Sequence, residues 1–161
     1  MRSQTREVLT HGLVAGLIGY GIVVVFYAVW NVLSGRSPFF TSAVLGNVVF
    51  YGGGSPGEME IWAGPVLAFN GLHLVIFLLA GVVAAWLTTF SEHGRSRWYL
   101  IFSLLMYGAI HIVGFVLLLA EPIHVAVPVW SGIFATLLAL TGMLVYLLSV
   151  HPVLRRTVHD F

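Results

Sequence analysis

Two histidines stand where almost nothing else in the chain can ionise. His73 lies inside the apolar stretch 68–86, AFNGLHLVIFLLAGVVAAW, and His111 lies inside 107–118, YGAIHIVGFVLL. Neither stretch holds an Asp, Glu, Arg or Lys. A neutral imidazole offers one ring nitrogen as a donor and the other as an acceptor or metal ligand. Two such rings at one level on facing helices are what bis-histidine haem ligation requires. The same side chains would suit the magnesium of a chlorin or the carbonyl of a quinone. Asn70 precedes His73 by three residues and Tyr107 precedes His111 by four, so on helices each histidine shares a face with a polar group. Gly108 and Gly114 flank His111 at three residues on either side and leave room beside it. The competing reading is structural, with each imidazole satisfied by a backbone carbonyl, by Asn70 or by Tyr107 inside a helix bundle.

The elements that must position these residues follow from composition. Of the 161 residues, 59% are hydrophobic and 8% charged, against roughly 25% charged in soluble globular chains. Mean hydropathy is +0.98. Such a chain cannot cover a water-facing surface, and its length suits a single domain. Four apolar runs approach or exceed the ~20 residues that a bilayer-crossing helix needs. They fall at about 12–33, 64–90, 98–120 and 127–150. Every charged residue lies outside them. The expected fold is therefore an all-α membrane protein: four transmembrane helices in an antiparallel bundle, forming one domain over 1–161.

The one long connection, 34–63, carries Ser34-Gly35 and Ser37-Pro38 as helix breakers. Thr41 or Ser42 is then placed to cap a short helix at about 43–51, too short to span and so interfacial or re-entrant on the outer face. The run from Gly52 to Gly57 reads as a turn. A loop this long in a small domain is often functional. In the first span, Gly12, Gly16 and Gly19 with Ala15 form a close-packing face, while Tyr27 and Trp30 read as interfacial anchors. Pro65 and Pro128 suit the first turns of the second and fourth spans. Glu121-Pro122 and His124 read as part of a short link.

Arginine placement sets the expected orientation. All seven basic residues are arginines. With four spans, Arg2, Arg6, Arg95, Arg97, Arg155 and Arg156 share one side and Arg36 stands alone on the other, which puts both termini in the cytoplasm. The basic start followed by a bilayer-length run reads as a retained first helix and not a removed signal. His73 lies nine residues after Gly64 and His111 nine residues before Ala120, so both sit ~13 Å below the outer edge at 1.5 Å per residue.

Several function classes lose support. The sequence contains no cysteine, which removes thiolate metal sites and disulfides. A net charge of +1 gives no case for nucleic acid. His124 and Glu121 lie too shallow to complete a metal site with His73 and His111, and no dedicated metal site is expected. His11, His93, His151 and His159 fall in polar ends, where solvation is the simplest expectation. Transporters and proton pumps place charged groups along an intramembrane path, which this chain lacks. No nucleophile elbow, zinc-protease motif or phosphate loop occurs, and no catalytic residue is expected.

The runs GRSPFFTSAVLGNVVFYGG, FNGLHLVIFLLAG and HPVLRR together resemble a group of small bacterial inner-membrane proteins with four helices. The resemblance implies a bacterial cytoplasmic membrane and four spans, with His73 as the matched position, and it brings no activity. The expected function is a small non-catalytic subunit, accessory or scaffold, in a larger respiratory or photosynthetic membrane complex, in contact with lipids and other integral subunits. The alternative is an electron-transfer protein holding haem b or a chlorin through His73 and His111, with Asn70 and Tyr107 behind them.

Overall fold

A computed structural model of the chain describes residues 2–53, 59–92, 106–110, 112, 114 and 121–150. Among the described residues these helices are formed: α1 (Arg2–Leu33), α2 (Phe40–Phe50), α3 (Ala63–Glu92), α4 (Glu121–Ala126) and α5 (Val129–Val150). Residues 106–110 are also helical, and no strand occurs among the described residues. Among the described residues, three helical stretches are long and apolar enough to cross a membrane: Thr5–Leu33 in α1, Ala63–Thr88 in α3, and α5; most of the span expected at 98–120 lies outside the described residues. Their outward positions carry aliphatic side chains such as Leu17, Val25, Leu79 and Val145, the surface that a helical membrane protein presents to lipid.

Lipid is as apolar as leucine, so these helices associate by close packing and hydrogen bonds and not by escape from water. The glycine face of α1 supplies that packing against α3. A Cβ placed on Gly12 would lie 2.5 Å from the Cα of Val82, and one on Gly16 would lie 2.5 Å from the carbonyl oxygen of Phe77. Gly81 answers from α3, its Cα hydrogen facing the backbone of Gly12 and Gly16. Backbone meets backbone along this seam, with Ala15 fully buried beside it.

Helix directions follow from the contacts. His11, Gly19 and Tyr27 of α1 meet Tyr146, Met143 and Ser131 of α5 in turn. Gly12, Gly16 and Tyr20 of the same helix meet Val82, Phe77 and Asn70 of α3, again in descending order. Both α3 and α5 therefore run antiparallel to α1 and parallel to each other. The core lies in three layers. Ala15, Ala84, Ala85 and Leu147 form one end. Val23, Phe77, Ala139 and Met143 form the middle. Val44, Leu45, Ile123 and Val127 form the other end, between α2 and α4.

The turn after α1 is a Schellman motif. Gly35 takes φ +70°, the Gly35 N–H reaches the carbonyl of Val32 at 3.0 Å, and the Arg36 N–H reaches that of Asn31 at 2.8 Å. The cap expected at Thr41 or Ser42 is not used. The helix begins at Phe40 with Phe39 before it and no side-chain cap. Thr41 instead donates to Asn31 Oδ1 at 3.1 Å and Ser42 to the Phe39 carbonyl at 3.0 Å, so both hydroxyls are engaged elsewhere. The segment 121–126, expected as part of a plain link, forms α4.

Candidate functional site

Where α1 and α3 leave their glycine seam, the space between them opens. At the level of Tyr20 a side-chain hydrogen bond joins the two helices: the Tyr20 hydroxyl donates to Asn70 Oδ1 at 3.2 Å. Beyond that bridge lies a cavity of about 340 Å³, within the ordinary range of small-ligand pockets, roughly 300–1,000 Å³. Its walls come from α1, α3, α5 and Ile112, and the first turns of α2 form its roof. Most of the lining is aliphatic or aromatic. Tyr20, Tyr27, Asn70, His73 and Thr136 supply the polar points within the long helices.

His73 lies on the cavity wall, as does Asn70 one turn before it. The imidazole stacks on Phe69 at 5.0 Å between ring centroids and meets Phe77 edge-on at 5.2 Å. Asn70 Nδ2 donates to the carbonyl of Val66 at 2.8 Å, which fixes the amide so that its oxygen faces Tyr20. Tyr107 is placed one layer away: its ring packs against Phe77 at 6.2 Å and beside the Ala84 and Leu140 cluster. The Phe77 ring thus lies against both Tyr107 and His73. His111 lies outside the described residues, as do His93, His151 and His159. Among the described residues no group of three or more His, Cys, Asp or Glu converges as a metal site would require.

The roof is held by a polar clasp. Asn31, 1% exposed, donates from Nδ2 to the Pro38 carbonyl at 3.2 Å and accepts from Thr41. Arg36 donates from Nη1 to the carbonyl of Ala126 at 2.7 Å, and its guanidinium lies 4.7 Å from the centroid of the Phe40 ring. The cation thus meets the carbonyl at the end of α4 and an aromatic face together. At the start of α3, a Cβ on Gly46 of α2 would fall 2.6 Å from the carbonyl carbon of Pro65, so α2 rests directly on that backbone.

Two expectations change at this point. Tyr27, expected as an interfacial anchor, is turned inward and lies 3.3 Å from Ser131 Oγ, because the bundle offers its hydroxyl a partner. Trp30 packs edge-on against Trp130 of α5 at 4.9 Å. His11, expected to be solvated, is half-buried, with Nδ1 3.1 Å from the Tyr146 hydroxyl and Nε2 4.0 Å from Glu7.

Sequence reasoning did not place Tyr20, Tyr27 or Thr136 at the site. A signal existed for the first two: Tyr20, Tyr27 and Asn31 are spaced by seven and four residues and so share one face of α1. Thr136 has no such partner on α5 and was not legible. In comparisons with family models, curated proteins and solved structures, nothing matches this chain.

Proposed function

We propose that this chain is a small non-catalytic subunit of a bacterial cytoplasmic-membrane assembly, and that its own contribution is to hold a lipid-soluble molecule in the cavity beside His73 and Asn70. The observation that carries the reading is the cavity itself. Densely packed protein interiors leave few voids larger than a water molecule, whereas here an apolar space of about 340 Å³ lies against a hydrogen-bonded Tyr20–Asn70 pair. Rim side chains include Leu67, 70% exposed, and Ile133, so the space opens sideways toward the lipid-facing surface. That suits a ligand arriving through the bilayer.

The four-span topology with both termini cytoplasmic belongs to the same proposal. It is supported by the parallel course of α3 and α5, which requires the intervening chain to return to the opposite end of the bundle. The one-sided distribution of arginines supports it as well. In this topology α2 and its clasp sit on the outer side.

Extraction of the detergent-purified protein with organic solvent, followed by mass spectrometry, tests the ligand. The expected result is one lipid-soluble compound at near-stoichiometric level, lost from an Ala28→Trp variant that fills the cavity. An extract with only bulk lipid, identical in both proteins, overturns the reading.

The haem reading is favoured by one observation, the presence of His73 on the cavity wall. It requires a Soret band in the purified protein that disappears in His73→Ala and in His111→Ala. A colourless preparation without extractable haem ends it.

A further inference from the structure

The hydrogen atoms on the cavity wall are already committed, and this restricts what the cavity can hold. Tyr20 donates its hydroxyl hydrogen to Asn70. Ser131 donates its own to the carbonyl of Pro128 at 2.6 Å, so the 3.3 Å contact between Tyr27 and Ser131 runs from the Tyr27 hydroxyl to Ser131 Oγ. Thr41 donates to Asn31, Ser42 to the Phe39 carbonyl, and Thr136 to the carbonyl of Gly132 at 2.8 Å. Of these six hydroxyls, all but that of Ser131 belong to the lining.

A hydroxyl that has given away its hydrogen still carries two lone pairs. The hydroxyl part of the wall is therefore rich in acceptors and contributes no donor. Asn70 adds a single donor: one hydrogen of Nδ2 goes to Val66, and the second is engaged by no described residue. The Tyr20 oxygen and the Asn70 amide lie within 3.2 Å of each other, so one ligand oxygen can meet both. An alcohol oxygen would accept from the Asn70 N–H and donate to the Tyr20 oxygen. A ketone, ester or ether oxygen can only accept. A cationic amine would donate, but a charge at this depth is costly.

Resting on the reading of the cavity as a ligand site, we infer that its ligand is a hydroxyl-bearing lipid-soluble molecule, an apolar body ending in an alcohol or phenol, with the hydroxyl seated between Tyr20 and Asn70. The site discriminates against the corresponding ether or carbonyl compound.

Native mass spectrometry of the full chain released from detergent tests this with two probes, 1-dodecanol and dodecyl methyl ether. The alcohol is expected to be retained about tenfold more tightly, the worth of one net hydrogen bond. The double variant Tyr20→Phe, Asn70→Leu, which removes both the acceptors and the donor at this point, should reduce that advantage to about twofold. Equal retention of alcohol and ether by the unmodified chain overturns this inference and leaves the ligand reading standing. Retention of neither probe, or equal retention by Ala28→Trp, overturns both. If Ala28→Trp does not fold, the comparison of the two probes and the Tyr20→Phe, Asn70→Leu double variant still decide.

Discussion

Tyr20 of α1 and Asn70 of α3 join the two helices at 3.2 Å by a hydrogen bond between side-chain tips, one turn beyond the place where the backbones of the same helices touch at Gly16 and Phe77. Hydrogen bonds between membrane helices contribute modestly, about 0.6 kcal/mol on average and up to about 1.7. A double-mutant cycle with Tyr20→Phe and Asn70→Leu, followed by unfolding in mixed detergent micelles, should return a coupling energy of about that size. A coupling near zero would show that the contact adds nothing to stability.

The glycine seam should tolerate almost no side chain. Gly16→Leu drives a branched chain into the Phe77 carbonyl, and overpacking of this kind costs about 1–3 kcal/mol or more. Gly21, on the same helix, has open space where its Cβ would stand, so Gly21→Leu should leave thermal stability in detergent almost unchanged. The contrast between the two variants controls for the general effect of replacing a helical glycine.

Arg36 holds α2 and α4 together from the connecting turn. Arg36→Gln removes the charge-assisted bond to Ala126 and the contact with Phe40. The guanidinium lies in an exposed residue, so the loss should be about 1 kcal/mol, below the usual range for charged hydrogen bonds. Hydrogen exchange should rise in Phe40–Phe50 and stay constant in the middle of α1.

If the chain works as a subunit, it should bring other integral membrane proteins with it when extracted in mild detergent at native expression. Quantitative mass spectrometry of the tagged chain should find the same partners at fixed ratios with the wild type and the Gly21→Leu variant. Isolation as a monodisperse, partner-free species under those conditions would remove the accessory-subunit proposal.

The helical character and three of the four expected apolar spans were legible because lipid imposes such runs directly: a backbone in hydrocarbon must satisfy its own hydrogen bonds. The glycine face of α1 was legible for a similar reason, since small residues at three- and four-residue spacing have few other uses in a membrane helix. The clasp was not. Asn31, Arg36 and Thr41 look like ordinary end-of-helix and loop residues, and their joint use depends on α4, which composition disguised as a link. The site was half legible. His73 and Asn70 were found by their rarity, but Tyr27 was assigned to the interface. A tyrosine near a helix end suits either a headgroup or an internal hydroxyl, and only the position of Ser131 on another helix decides.

The seam between Gly12, Gly16 and Gly81 has a mechanical consequence. Backbone meets backbone there, so the seam fixes how closely α1 and α3 approach each other. The width of the cavity that begins at Tyr20, one turn beyond Gly16 on α1, then follows from that approach. A single methyl added at Gly16 should alter what the pocket admits without touching any residue that lines it.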